Sequence, residues 1–303
     1  MTRNCGSNTY LPILVACVGL LGCGGEDAGT TPPVESPEVS FETSSYSLMP
    51  GEEKRYFCYT TRLPEDQETI ITEITPTYGA ATHHLGIYYT LSPEPDGAFE
   101  CPELVRETWL PLYGGGVESG SLKLPEGAGF RLPKNTQVLV QLHLLNASSA
   151  AVEDKAAITF KTADPAREVT PAGMFGFDNR TIQIPAASKD FEQAMSCPAV
   201  GREMNVFAVF GHMHTLGKHI EASRGASPGD EILYEADWLF DDQPTIPANF
   251  QIKPTDNIHI RCWYDNPTTH TLTYGENTSD EMCSFVFYYT PYEALDGCVS
   301  VPP

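Results

Sequence analysis

Five of the eight histidines in the chain are spaced so that they could share metal ions. His83 and His84 are adjacent in ATHHLGIYY, His143 lies in VLVQLHLLN, and His212 and His214 form GHMHTLG. On a strand, residues two apart face the same side, so His212 and His214 can close on one ion with little distortion. His83 and His84 would face opposite sides of a regular strand, so both reach one ion only from a turn or a bulge. Donor chemistry sorts the metals. A binuclear hydrolase built on His-x-His usually continues to an Asp, but here Thr215, Leu216 and Gly217 follow, which disfavours hydrolytic zinc. Blue copper needs a Cys thiolate beside His and Met, and the six cysteines beyond residue 23 come in a number that favours pairing. Histidine with a thioether remains, a soft donor set that favours Cu(I) and suits a copper that cycles to activate oxygen.

The elements that must position these residues read as strands. Arg55–Thr61, Thr69–Thr77, His84–Thr90, Gln137–Leu145, Ala157–Thr162, Met204–His214, Asn257–Tyr264 and Cys283–Thr290 are short, rich in β-branched or aromatic residues, and separated by Gly, Pro, Asn and Asp. Ile258, Ile260 and Cys262 alternate with His259 and Arg261, the pattern of a half-buried strand. No helical period longer than about three turns stands out. With 25 Gly, 25 Pro and only 19% charged residues, the composition is that of a turn-rich β protein. The economical architecture for 303 residues is all-β: two antiparallel β-sandwich, jelly-roll-like domains, the second beginning near Pro165–Gly173. Residues 41–168 are assigned to the first domain and 169–303 to the second.

The first residues read as an address. After Arg3, the apolar run Leu11–Leu21 is too short to span a membrane and suits a signal-peptide core. It ends in Leu20-Leu21-Gly22-Cys23, which resembles a bacterial lipobox, so residues 1–22 are expected to be removed and Cys23 lipidated. Residues 23–40 then form a Pro-containing flexible linker. The expected location is the bacterial cell envelope, with the membrane contacted through the lipid anchor only. A formal charge of −22 excludes a basic nucleic-acid footprint. Of nine cysteines, Cys5 and Cys17 go with that leader and Cys23 takes the lipid, leaving Cys58, Cys101, Cys197, Cys262, Cys283 and Cys298. Three disulfides are the natural expectation in an oxidising compartment, with their connectivity open. None of the six forms a close C-x-x-C pair, so a zinc knuckle is not expected.

Four segments together resemble the copper type II, ascorbate-dependent monooxygenases, the family of peptidylglycine α-hydroxylating monooxygenase and dopamine β-monooxygenase. They are YFCYTTRLPED followed by THH, LPEGAGFRL followed by VLVQLHLLN, CPAVGREMNVFAVFGHMHTLGK, and SDEMCSFVFYY, in the family's order across about residues 52–291. The resemblance implies two β-sandwiches flanking an open, solvent-filled cleft, each holding one copper. It assigns His83, His84 and His143 to an electron-delivering copper in the first domain, and His212, His214 and Met282 to the copper where oxygen binds and the substrate C–H bond breaks. Gln141, on the His143 face of its strand, matches a family glutamine implicated near the first site. The resemblance also implies disulfides Cys58–Cys101, Cys197–Cys298 and Cys262–Cys283. The implied activity is hydroxylation of a small organic molecule with O2, the two electrons coming from ascorbate or another one-electron reductant.

Departures from the family pattern bear on the substrate. Where peptide-hydroxylating members place an Arg, an Asn and a Tyr that clamp the peptide carboxylate, this chain has Phe210, Ser284 and Val286. A C-terminal glycine peptide is therefore not expected, and an apolar or aromatic molecule fits better. Met213, inside His-Met-His, is expected to face away from the metal and join the core. The acidic stretch Asp230 to Asp242 reads as solvated surface, and His219, His259 and His270 fall outside the ligand motifs. A non-catalytic copper-binding or storage lipoprotein is the alternative, and an inert carbohydrate-type sandwich a third reading that predicts no copper.

Overall fold

Alternation of apolar and polar residues over short runs builds the molecule from strands alone. The computed structural model describes residues 37–101, 106–116, 119–293 and 296–301. The signal peptide, Cys23 and nearly all of the linker expected from the sequence lie outside the described residues. All eight expected strands form, several to the residue: Thr69–Thr77, Gln137–Leu145 and Cys283–Thr290. No helix occurs among the described residues.

The first half packs a sheet ordered Glu38–Glu42, Ala157–Ala163, Thr69–Thr77, Ala128–Leu132 and Thr170–Pro171 against one ordered Gly97–Glu100, Glu53–Arg62, Gln137–Leu145, Thr82–Thr90 and Trp109–Gly116. The second half pairs Ile246–Ile252, Met204–Met213, Cys283–Thr290, Gly173–Asn179 and Asp296–Ser300 in one sheet, and Ser188–Cys197, Ile258–Asn266, Gly217–Arg224 and Glu231–Asp237 in the other. Among the described strands pairing is antiparallel except for two short parallel pairs, Thr170–Pro171 with Ala128–Leu132 and Gly173–Asn179 with Asp296–Ser300. The three disulfides are Cys58–Cys101, Cys197–Cys298 and Cys262–Cys283, the pairs the resemblance implied.

Period-2 alternation sends the functional side chains to one face. Along Gln137–Leu145, Val138, Val140, Leu142 and Leu144 fill the core of the first sandwich, so Leu139, Gln141 and His143 point out of its other face. Along Met204–Met213, Val209 and Met213 enter the core of the second sandwich, while Ala208 packs with the first. Phe210 and His212 share the Ala208 face. On the neighbouring strand Phe285, Phe287 and Tyr289 face inward, whereas Ser284, Val286 and Tyr288 look toward the first sandwich. Apolar contact is continuous across this interface, because Ala172, Met174, Ala208 and Tyr288 belong to the first sandwich's core cluster. Tyr288 Oη accepts from the Gly114 amide at 2.8 Å and donates to the Gly114 carbonyl at 3.1 Å. Gly116 permits a close approach there, since a Cβ on it would lie 2.6 Å from Gln243 Cβ.

Candidate metal centre

His83, His84 and His143 converge at the end of the first sandwich that faces the second. His84 lies directly opposite His143 in the strand register, and the register shifts before the next pair, Leu144 with Thr82. His83 is thus the extra residue of a bulge, which turns it toward the ring of its neighbour. The Nδ1 atoms of His83 and His84 are 3.3 Å apart, and those of His143 and His84 are 3.4 Å apart. Candidate ligand atoms of all three lie within 4.8 Å of one another. Nitrogens bound at about 2.0 Å to one tetrahedral ion stand roughly 3.3 Å apart, so the cluster has the spacing that a small cation imposes. His83 Nε2 is buried and has no hydrogen-bond partner among the described residues.

Hydrogen bonds decide which nitrogen each ring can offer. The Glu53 carboxylate can only accept, so His143 donates its Nε2–H to Glu53 Oε1 at 2.7 Å and keeps the Nδ1 lone pair for a cation. In the second sandwich, Gln243 donates its amide NH2 to the Phe240 carbonyl, which turns Gln243 Oε1 toward His212 Nδ1 at 2.7 Å. His212 therefore donates Nδ1–H and presents Nε2. His214 Nδ1 lies 3.1 Å from the Asp280 carbonyl and is committed in the same way.

Burial keeps these rings neutral and able to ligate. The His83 imidazole is pushed down to about 4 by burial and then by the neighbouring His143 and His212. Burial drives His84 well below the ordinary value, with His143 and His212 adding to it. His212 falls to about 4 and His214 to about 3, burial again being the largest cause. Three of the rings lie against others across the boundary between the sandwiches: His84 and His212 have centroids 5.1 Å apart, and His83 stacks on Phe240 at 4.1 Å.

A cleft of about 450 Å³ opens beside this cluster and is lined from both sandwiches. His84, Gln141 and His143 border it on one side, and His212, His214, Met282, Phe210, Ser284 and Val286 on the other. The resemblance implied ions separated by an open, solvent-filled gap. Here the gap narrows at its inner end until the two histidine sets meet ring to ring, because the apolar interface brings the two sandwiches into direct contact. Met282 is buried beside Cys283, which is bonded to Cys262, and its carbonyl accepts from Tyr264 Oη at 2.7 Å. Gln141 Nε2 lies 3.7 Å from Cys101 Sγ. Phe210 pairs with Val286 in the register and His212 with Ser284, so the three residues at the clamp positions form one wall. Ser284 Oγ donates to Asp178 at 2.8 Å, and Asp178 also accepts from Arg180.

Met213 is fully buried in the core, away from the cleft face. His219 pairs with Asp237 and packs on Trp263; His259 bonds Ser196 and the Gly225 carbonyl. His270 lies in a turn where its carbonyl accepts from Asn266. The acidic residues of Asp230 to Asp242 are solvent-exposed as expected, while other residues at the end of the stretch turn inward. Trp238 donates its indole N–H to the His214 carbonyl, Phe240 covers His83, and Gln243 is buried against His212. An acidic run disguised a strap whose aromatic and amide residues serve both histidine sets. The Trp238-Leu239-Phe240 triplet inside that run was the available signal.

Residues 172–303 match the family described as copper type II ascorbate-dependent monooxygenase, C-terminal domain. The mouse peptidyl-glycine alpha-amidating monooxygenase is 25% identical over 286 residues, which cover 87% of this chain and 28% of that protein. The Xenopus laevis peptidyl-glycine alpha-amidating monooxygenase A is 26% identical over 86% of this chain and 29% of its own length. The human putative DBH-like monooxygenase protein 2 is 24% identical, with 84% of this chain and 57% of that protein covered. The chain thus spans under a third of the two amidating relatives.

Proposed function

We propose that the chain is a copper type II ascorbate-dependent monooxygenase, a reading supported by the family match over residues 172–303 and by the similar monooxygenases, and that it hydroxylates a C–H bond of a small organic molecule with O2. Ascorbate or another one-electron reductant supplies the electrons. His83, His84 and His143 hold one copper, and His212, His214 and Met282 hold the second. The observation that carries this reading is the gathering of five imidazoles, three of them with a tautomer set by a hydrogen bond, beside a cleft that His84, His143, His212, His214 and Met282 line. Bound copper would supply single-electron storage and oxygen activation, the thioether favouring Cu(I).

The chain's own groups perform the remaining work. Glu53, Gln243 and the Asp280 carbonyl hold the imidazole protons away from the ligating nitrogens. Phe210, Val286 and Met174 make an apolar wall that orients a substrate and excludes water. With Phe210, Ser284 and Val286 at the clamp positions, an apolar or aromatic substrate is favoured over a peptide carboxylate, and a cleft of about 450 Å³ suits a small molecule. Export to the bacterial envelope with lipidation at Cys23 completes the reading, supported by the lipobox-like segment and by three disulfides of the kind that persist in oxidising compartments.

Oxygen uptake with copper and ascorbate, screened over phenethylamines and other small aromatics, tests the proposal. Met282→Ile should abolish hydroxylation yet leave the first copper bound. Unchanged turnover in that variant overturns the ligand assignment, and copper uptake with no turnover on any substrate favours the storage alternative.

A further inference from the structure

We propose that Glu53 is a positioning residue for both metal sites, a carboxylate that fixes the His143 tautomer and clasps the segment carrying Met282 through Thr278. The proposal rests on the two-copper reading. Glu53 opens the strand Glu53–Arg62, where it pairs with Leu145, two residues beyond His143. One oxygen of its carboxylate accepts twice: from His143 Nε2 at 2.7 Å and from Thr278 Oγ1 at 2.6 Å. His143 belongs to the first sandwich and Thr278 to the second, so this oxygen joins the two halves at the rim of the cleft.

Thr278 is not a passive neighbour. It lies in a turn closed by the Asp280 amide on the Asn277 carbonyl at 2.9 Å and by the Asn277 side chain on Asp280 Oδ2 at 2.6 Å. The Asp280 carbonyl at the end of that turn accepts from His214 Nδ1. Glu281, fully buried, accepts from the amides of His214 at 3.0 Å and Leu216 at 2.7 Å, and Met282 follows. Displacing Thr278 therefore shifts the acceptor that orients His214 and the backbone that presents Met282. On the other side, a carboxylate behind a ligating imidazole holds the ring and raises its basicity, and losing such a partner typically costs about 10–100-fold in metal affinity. Glu53 does this for His143 while reporting the position of the opposite loop, so the two sites are set together.

The experiment uses the full chain with E53Q, T278V and T278S. In the metal-free protein, T278V should speed amide hydrogen exchange across residues 277–282, and T278S, which restores the hydroxyl, should return it to wild type. After copper loading, E53Q should weaken the first ion by about 10–100-fold and change its Cu(II) paramagnetic resonance signature. T278V should keep both ions and lower kcat several-fold with little change in KM, again with recovery in T278S. Wild type that takes up no copper sinks the two-copper reading and Glu53's role toward a metal with it. Wild type that loads two ions, with E53Q and T278V both behaving as wild type, sinks this inference alone.

Discussion

At the scale of single residues, burial keeps four imidazoles of the site neutral, and that has a measurable cost. His83, His84, His212 and His214 all titrate below the ordinary imidazole value in the folded chain. Between pH 6.5 and about 4 the unfolded chain binds protons that the native metal-free chain refuses. Its stability is therefore full above 6.5 and lost as pH falls, by up to about 1.4 kcal/mol per pH unit for each ring. Glu281 acts in the opposite sense. Burial outweighs its bonds from the Leu216, His214 and Met282 amides and pushes the carboxyl up to about 7. Between its ordinary value of 4.5 and 7 the native chain holds a proton the unfolded chain lacks, which offsets one ring of the four. The denaturation midpoint of metal-free protein should rise between pH 5 and 6.5, and a flat or falling midpoint contradicts the burial argument. The histidines were legible as candidates from spacing, but their tautomers were not. Glu53, Gln243 and Asp280 lie 90, 31 and 66 positions from the rings they orient, beyond any local pattern.

At the scale of elements, strong period-2 segments were readable and weak ones were not. Ala157–Ala163 alternates cleanly between buried and half-buried positions, and Gln137–Leu145 is flanked on both sides and buried nearly throughout. Ser188–Cys197 was missed because it is an edge strand with many exposed side chains, and Trp109–Gly116 because a proline and three glycines dilute its pattern. The adjacent His83 and His84 demanded a bulge, and the register shift beside His143 supplies it. The strap from Trp238 to Gln243 was hidden by the acidic residues around it. If the proposed two-copper reading holds, Phe240→Ala should weaken copper binding at the His83 set by several-fold while leaving the His212 set nearly unchanged, because the lost ring stacks on His83 alone among the candidate histidines described. Titration of the two ions by calorimetry checks this, and equal losses at both sites would count against the strap's selectivity.

At the scale of the whole molecule, the two sandwiches meet through an apolar face pinned by a few polar contacts. Tyr288 is fully buried, and its hydroxyl satisfies both the amide and the carbonyl of Gly114. Thr245 Oγ1 also donates to that carbonyl, so Tyr288→Phe leaves chiefly the Gly114 amide without its partner. The loss should be about 1–3 kcal/mol of stability, and hydrogen exchange along Trp109–Gly116 should speed up. Unchanged exchange there would show that the apolar contact alone holds the halves together. The covered sheet also explains why its strands are rich in large residues on both faces. Phe285 and Phe287 serve one core, and Val286 and Tyr288 serve the interface.

Strand content, the candidate histidines and the pairing of six cysteines were readable from the chain as written, since residue type and short-range periodicity carry the first two and order along a family pattern carries the third. The approach of His84 to His212, the double acceptance by Glu53 and the folding of an acidic run over both histidine sets became visible only in three dimensions. Those features depend on how two separately patterned sandwiches dock, and docking is set by surface complementarity between residues far apart in the chain, which no local spacing encodes.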